Sequence, residues 1–440
     1  MPDNAALLED AKRAVELAKK AGAVDAWAVA QHERAADTEY RDGKLEKVQE
    51  SISKKLSLRL YVNGRYSTHE TTDLRLSSLR AFITQAVALT KHLEKDRYRE
   101  IPNATLFRNR PGADLGIVDT RVLQISPGDR LAWCQELYSA TRGSSKVISS
   151  TVGVYDSASS TAAASSNGFL GTHDTTSLWM GGKVTLKDAG DKRPQGYYYA
   201  GGPRFDLLPN RQELGASALR EATRQLGASQ GPTKRTTMIV EARVAGRLLS
   251  RLLRTATAYY FSQDQTFWKD SIGKAVVSKK LSVTDEPLLH GASGSRHFDG
   301  EGISARSLPI IDKGVLANIY VDTYYGKKIA MTPTTGSRSN WVLPAGDHSR
   351  DQLAKDVGNG ILVTSWLGGN ADATTGDFSF GVRGHLIEQG NLTRPVSEMN
   401  VTGNLLDLFK KLVALGNDPW PYGSTRTPTL VFENVQFSGV

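Results

Sequence analysis

Between Gly360 and Asn404 the chain reads GILVTSWLGGNADATTGDFSFGVRGHLIEQGNLTRPVSEMNVTGN, and no other stretch limits the fold as much. Phe378, Phe380 and Val382 alternate with other residues as one face of a strand, while Gly376, Gly381 and Gly384 interrupt it. Glycine inside a strand marks a bulge, a bend or the close approach of another backbone. Gln389-Gly390-Asn391 predicts a tight turn between Leu386–Glu388 and Leu392-Thr393. After Gly403-Asn404, the spacing of LLDLFKKLVAL predicts an amphipathic helix. The expectation is a twisted antiparallel sheet whose edge has room beside it. The competing reading is a structural sheet that its glycines merely curve.

A chain of 440 residues has length for two or three domains with real cores. Its hydrophobic content of 39% and charged content of 23% are ordinary for a soluble globular protein. No apolar run approaches the roughly 20 residues a membrane span requires. The opening MPDNAALLEDAKRAVELAKKAG has helical periodicity and acids, and lacks the basic start and apolar centre of a signal peptide. One cysteine, Cys134, excludes an intrachain disulfide framework and fits a reducing compartment, so the expected location is cytoplasmic. The net charge of +9 raises the question of nucleic acid. The basic residues are spread along the chain beside acids, and no helix-turn-helix, zinc-finger or RNP pattern accompanies them. A solvated basic surface is the better account.

In order, residues 5–21 predict a helix ended by Gly22, and 25–34 and 44–53 predict strands. Residues 55–62 alternate cleanly, and Asn63-Gly64 predicts a hairpin. Asp73 is a candidate cap for a helix reaching Lys91. A third helix starts at Pro127, strands are expected over 147–155, 160–164 and 176–187, and a helix covers 211–226. Gly231-Pro232-Thr233 is the clearest boundary. The following helix, 241–258, carries an apolar stripe of Val244, Ala245, Leu248, Leu249, Leu252 and Leu253. A strand pair turns at Asp312-Lys313-Gly314, residues 331–346 form an extended loop, and 350–357 form a short helix. The expected class is α+β, an N-terminal α/β lobe followed by a C-terminal domain built on antiparallel β-sheet. The divisions are 1–110 and 111–230 for the lobe and 231–440 for the C-terminal domain.

The inventory of chemical groups does not by itself establish an enzyme. His32-Glu33 and His69-Glu70 begin like zinc-helix motifs, but no second histidine follows within two turns. His290 and His297 flank GASGSR with Asp299 and Glu301 beyond, a set that suits a metal or a polar loop. Asp372, Asp377 and Glu388 lack the spacing of a calcium loop. Cys134 lies on the apolar side of a helix, and no G-x-S-x-G elbow is present.

The ordered motifs do resemble a known family. The TGDFS core, the hairpin at Gln389-Gly390, the PVSE step and the helix start after Gly403-Asn404 are similar to the TldD/PmbA family, also labelled modulators of DNA gyrase. TFWKDSIGKAV, FDGEGISARSLPIIDKGVLANIYVDTYYGKK, Thr335-Gly336…Asn340, KLEKVQESISKKLSLRLYVNGRYS and DLRLSSLRAFITQAV extend the likeness over nearly the whole chain. The resemblance implies one branch, TldD, that is a zinc metallopeptidase with an HExxxH helix. It implies a second, PmbA or TldE, that lacks the motif and pairs with the first to act on unfolded peptides. EARVAGRLLSRLL occupies the helix slot here without a histidine, with Arg247 where a ligand is expected. Arginine stays protonated and offers no lone pair. The resemblance therefore implies the PmbA/TldE branch, with no catalytic or metal residue and no cofactor in this chain, zinc being expected in a TldD-like partner. It also implies unfolded peptide as ligand, with self-association open. Gly376, Asp377, Phe378, Gly381 and Gly384 are the candidate substrate-binding residues, through addition of a peptide strand at an exposed edge. Two alternatives stay open, a stand-alone regulator and an independent hydrolase using His290, His297 and Asp299.

Overall fold

Alternating apolar residues in the first half of the chain build one antiparallel sheet, and pairs of helices cover one face of it. The structure is a computed structural model that describes residues 4–439. Helix α1 (Asn4–Lys20) is followed by β1 (Asp25–Arg41), β2 (Lys44–Val62), β3 (Arg65–Thr71) and α2 (Leu76–Thr90). The same order recurs in α3 (Pro127–Ala140), β4 (Val147–Ser165), β5 (Leu170–Leu186), β6 (Gln195–Gly202) and α4 (Arg211–Thr223). The sheet order is β3-β2-β1-β4-β5-β6, so the two helix–meander–helix units join through β1 and β4. Leu56, Leu58, Leu60 and Val62 pack with α1 and α2 in one core. Val152, Val154, Leu178 and Met180 pack with α3 and α4 in the next.

Several boundaries differ from expectation. β1 and β2 are long continuous strands turning at Asp42 and Gly43, both at positive φ (48° and 85°). That is the backbone a two-residue hairpin matched to sheet twist requires, and Asp-Gly is its usual sequence. β4 likewise runs unbroken through the small residues of SASSTAAAS, because β1 and β5 pair with it on both sides. Asp73 does not cap α2; Arg75 is the N-cap, and Asp73 accepts the Arg75 N–H at 3.1 Å.

The second half contains a closed ring. Its strands are β7 (Lys234–Val240), β8 (Gly360–Trp366), β9 (Asp377–Glu388), β10 (Asn391–Asn404) and β11 (Leu430–Ser438). β7 pairs with β8, β8 with β9, β9 with β10, β10 with β11, and β11 returns to β7. All these pairings are antiparallel except β7–β8. Helix α5 (Ala242–Leu253) leaves β7 and joins the largest core with Val240, Phe380, Val401 and Phe432. Helix α6 (Arg350–Val357) covers the opposite face at Ile239, Leu362, Ile387 and Val431. Beside the ring lies a small sheet that includes Val283–Asp285, Leu308–Asp312 and Trp341–Val342. The segment LLDLFKKLVAL is half helix (Leu405–Lys410) and half strand (Leu412–Leu415), because its second half pairs with β11. Among the described residues no helix is long and apolar enough to cross a membrane.

The first sheet carries a buried ion pair beneath α3. Arg130 is 1% exposed, and its Nη2 donates to Asp156 at 3.0 Å while its Nε donates to the other carboxylate oxygen. Arg34 donates to the same carboxylate at 3.0 Å. Removing Asp156 leaves the buried Arg130 with only the half-exposed Glu50, 2.8 Å away, to balance its charge. Asp156→Ala is therefore expected to lower stability by about 3–5 kcal/mol, read as a drop in urea midpoint with an unchanged m-value.

Candidate functional site

Helix α5 is strongly two-faced. Val244, Ala245, Leu248, Leu249, Leu252 and Leu253 are buried, which leaves Arg243, Arg247, Ser250 and Arg251 on the other side, with Arg254 at the C-cap. Its ends are fixed by indoles: Trp366 Nε1 donates to the Val244 carbonyl at 2.9 Å, and Trp268 Nε1 donates to the Leu252 carbonyl at 3.0 Å. The helix cannot easily slide, so its polar face holds one position.

That face forms one wall of a cleft of about 640 Å³. Arg247, Ser250, Arg251 and Arg254 line the helix side, Tyr320 and Trp341 give it an aromatic surface, and Gly336, Ser337 and Arg338 close the far side. Arg247, Arg251 and Arg254 are spaced i, i+4 and i+7, one stripe about 10 Å long at 1.5 Å per residue. Arg247 sits 5.9 Å from the Phe380 ring, Arg254 donates to the Tyr260 hydroxyl at 3.2 Å, and Arg338 lies 4.4 Å over Trp341. Among the described residues none of these four arginines forms an ion pair with a carboxylate. Guanidinium groups grouped without a counter-charge over aromatic rings suit a ligand carboxylate, which each can grip with two parallel hydrogen bonds.

The far wall is built from acids turned inward. Asp299 accepts hydrogen bonds from the Glu301, Ile303 and Gly336 amides and the Thr335 hydroxyl at 2.8–3.0 Å, which shapes the loop carrying Arg338. Asp285 accepts the Ser339 amide at 2.7 Å; burial holds its carboxyl above the usual range. Trp341 Nε1 donates to the Tyr320 hydroxyl at 2.6 Å, and burial raises that phenol. Neither Arg338 nor Trp341 is readable as part of a site from spacing. The arginine stripe on α5 is, as the complement of the apolar stripe.

The histidines expected as an alternative site do not converge. His297 Nε2 hydrogen-bonds the Ala113 carbonyl at 2.8 Å, and His290 presses against Gly116. Asp299 accepts its hydrogen bonds from the loop amides and Thr335, and among the described residues it bonds neither histidine. Arginine cannot ligate zinc, and among the described residues no group of three His, Cys, Asp or Glu side chains is placed to hold a metal ion. The donor set on α5 does not fit the zinc of an HExxxH helix.

The glycine-punctuated strand is placed differently from expectation. β9 is paired with β8 and with Asn370-Ala371 on one side and with β10 on the other, so it offers no free edge for a peptide. A closed ring has no edges along its strands. Gly384 lies within the ladder, where a Cβ would fall 1.8 Å from the Leu362 carbonyl oxygen. Phe378 stacks on Phe380 with ring centroids 4.9 Å apart, facing the core. Asp377 accepts from Asn404 at 3.0 Å, and Gly376 packs near Phe267. Gly381 borders a shallow depression with Leu367, Gly368, Gly369 and Asn400. The strand meets the arginine cleft through Phe380 beneath Arg247.

His385, next to Gly384, donates from Nε2 to the Arg224 carbonyl at 2.9 Å, and burial, then the Arg224 charge, lowers its pKa. The unfolded chain takes up that proton first, near 6.5, so the stability due to neutral His385 is full above this pH and is lost as pH falls below it. The melting temperature of His385→Gln is expected to fall less than that of the parent between pH 7.5 and 5.5. Equal slopes would exclude His385 as a contributor.

Comparison with known proteins returns one family. Residues 233–439 match the PmbA/TldA metallopeptidase C-terminal domain, 121–226 the central domain and 28–90 domain 1. A Bacteroides thetaiotaomicron protein described as a candidate modulator of DNA gyrase is similar over 98% of both chains, at 35% identity with a TM-score of 0.95. Metalloprotease PmbA of Escherichia coli O157:H7 is 26% identical over 383 residues, 86% of this chain and 84% of the relative. TldE of Thermococcus kodakarensis shares the fold over 98% of this chain and 100% of its own, with a TM-score of 0.86 at 16% identity.

Proposed function

The chain belongs to the PmbA/TldD metallopeptidase family, and from that premise we propose that it is the zinc-less TldE-type subunit of a cytoplasmic TldD/TldE heterodimer that acts on unfolded peptides. The observation that carries this reading is the outer face of α5, where Arg247 and Arg251 line an open cleft with no counter-charge. A TldD-like partner supplies zinc and the bond-breaking step, and this chain grips the peptide. Arg247, Arg251, Arg254 and Arg338 hold carboxylates of the peptide, while the Tyr320 and Trp341 rings take its apolar groups. Such contacts read charge and bulk rather than sequence, which suits unfolded substrates. Under this proposal the lobe segments 1–110 and 111–230 and the C-terminal domain 231–440 are the units that assemble around the peptide. Gly376, Asp377, Phe378, Gly381 and Gly384 contribute at most through the depression at Gly381, where Gly381→Val would press on Leu367 Cβ, 3.1 Å from an added Cβ.

The test combines three measurements. The purified chain, dialysed against a weak chelator, is expected to hold no stoichiometric zinc. Peptidase activity is expected in a mixture with a TldD-like protein and not in this chain alone. Arg247→Glu with Arg251→Glu is expected to weaken peptide affinity about tenfold or more, since each charge-assisted bond contributes about 1.5–3 kcal/mol. Partner binding and melting temperature should be retained. Cleavage by the isolated chain at the rate of the mixture would replace this reading with the independent hydrolase. Failure to bind any TldD-like protein would favour the stand-alone regulator.

A further inference from the structure

Among the described residues, the longest unpaired stretch of edge in the first sheet is on β2. β3 pairs with β2 over Leu56–Val62 alone, so among the described residues the outer edge of β2 from Lys44 to Lys55 has no neighbouring strand. Two apolar side chains stand out along it: Val48 is 55% and Ile52 73% exposed. A long edge with apolar residues is a template for another strand. Two features bound the usable window. A bulge at Glu46, where the β1–β2 register shifts between Glu39 and Tyr40, bends one end. Thr71, paired with Leu56, occupies the other end. Residues 46–54 remain, about 30 Å at 3.3 Å per residue.

We propose that this window is a self-pairing surface, taking the same strand of a second copy antiparallel about a two-fold axis through Glu50. In that register Val48 faces Ile52 of the other copy twice, and Glu46 faces Lys54 twice. Gln49 faces Ser51 and Lys47 faces Ser53 on the opposite side of the sheet. Sliding by two residues in one direction sets Lys47 against Lys55 and Val48 against Lys54. Sliding in the other sets Glu46 against Ile52 and Val48 against Glu50. Cross-strand pairs of matched apolar groups or opposite charge favour pairing, and mismatched ones oppose it. The one like-charged contact is Glu50 with its own copy at the axis, and each Glu50 is already neutralised by Arg130 at 2.8 Å. Glu46 and Lys54 have partners in their own chain, Arg41 at 3.0 Å and Asp10 at 2.7 Å, so the pairing extends these into a network. An isologous patch of this kind closes at two copies and does not propagate.

This surface is separate from the arginine cleft, and the inference does not depend on the peptidase reading. The full-length chain at micromolar concentration, measured by light scattering after gel filtration, is expected to be a dimer. Val48→Lys with Ile52→Lys should weaken dimerisation at least about tenfold with an unchanged melting temperature. Glu50→Cys should give a disulfide-linked dimer on mild oxidation, because the two positions face each other at the axis; Cys134 is buried and does not compete. A monomeric parent, a dimer undiminished in the double lysine variant, or cross-linking of Glu50→Cys to a TldD-like chain in place of its own copy would each overturn the proposal. Peptide affinity at the cleft, measured on the same variants, reports separately on the proposed function.

Discussion

The arrangement of this molecule depends on a carboxylate at the point where strand becomes helix. Glu241 directly follows β7 and is the N-cap of α5, and it is 9% exposed. Arg350 at the start of α6 reaches it at 2.6 Å, and Arg224 at the end of α4 reaches it at 3.2 Å. Arg224 and Arg243 also hold Glu221 of α4, at 2.9 and 2.8 Å. Three arginines and two glutamates from α4, α5 and α6 thus meet in one cluster. A negative charge at a helix N-terminus is favoured by the helix dipole, and the paired charges lower the cost of burying one another. The cluster joins the first sheet, through α4, to the ring. It also sets where α5 begins, and the positions of Arg247, Arg251 and Arg254 follow from that start.

The same fixed helix explains why the two arginine populations differ. Arg243, two residues after Glu241, is paired with the glutamates. Arg247 and those beyond it lie past the reach of the cluster and face the cleft with no acid. On the far wall the acids are satisfied by backbone amides, Asp299 by the 301–303 and 336 segments and Asp285 by Ser339. Their charge is spent in shaping the loop and is turned away from the cleft, so it does not cancel the stripe. A charge excess survives where geometry keeps opposite charges apart.

Much of this was legible in the sequence, and the failures are physical. The apolar stripe of α5 marked its buried face, and by subtraction its arginine face, because period 3.6 separates the two cleanly. The motif order over the 360–404 stretch identified the family from residues alone. Ring closure was not legible: the alternation of Phe378, Phe380 and Val382 is the same in an edge strand and in a strand paired on both sides. Of the three glycines read as a bulge, a bend or a close approach, Gly384 meets a backbone, that of Leu362 in β8, while Gly376 and Gly381 face the side chains of Phe267 and Leu367. The Asp42-Gly43 hairpin lies in the sequence, and it carries β1 on to Arg41, past the 25–34 expected. Arg338 and Trp341 join the cleft through long-range placement by Asp299, which no local pattern encodes.

The two halves handle the exposed backbone of a sheet in opposite ways, and this difference organises the surface. The C-terminal strands close into a ring, with β9 paired along both sides, and the arginine face of α5 stands outside that ring. The N-terminal sheet is built from two like units joined at β1 and β4, an arrangement that leaves β3 and β6 as outer strands. β6 is short, Gln195–Gly202, and α4 packs beside it, with Ala222 close against Gly196. β3 is shorter than the strand it covers, so the excess length of β2 stays bare. An open edge is a hazard unless its side chains select a partner. The alternation of Glu46, Val48, Glu50, Ile52 and Lys54 supplies such a selection, because opposite charge and apolar groups come into register only about Glu50. The bare edge of β2 and the unpaired arginine stripe of α5 thereby lie in different halves of the chain, each placed by how far its sheet closes.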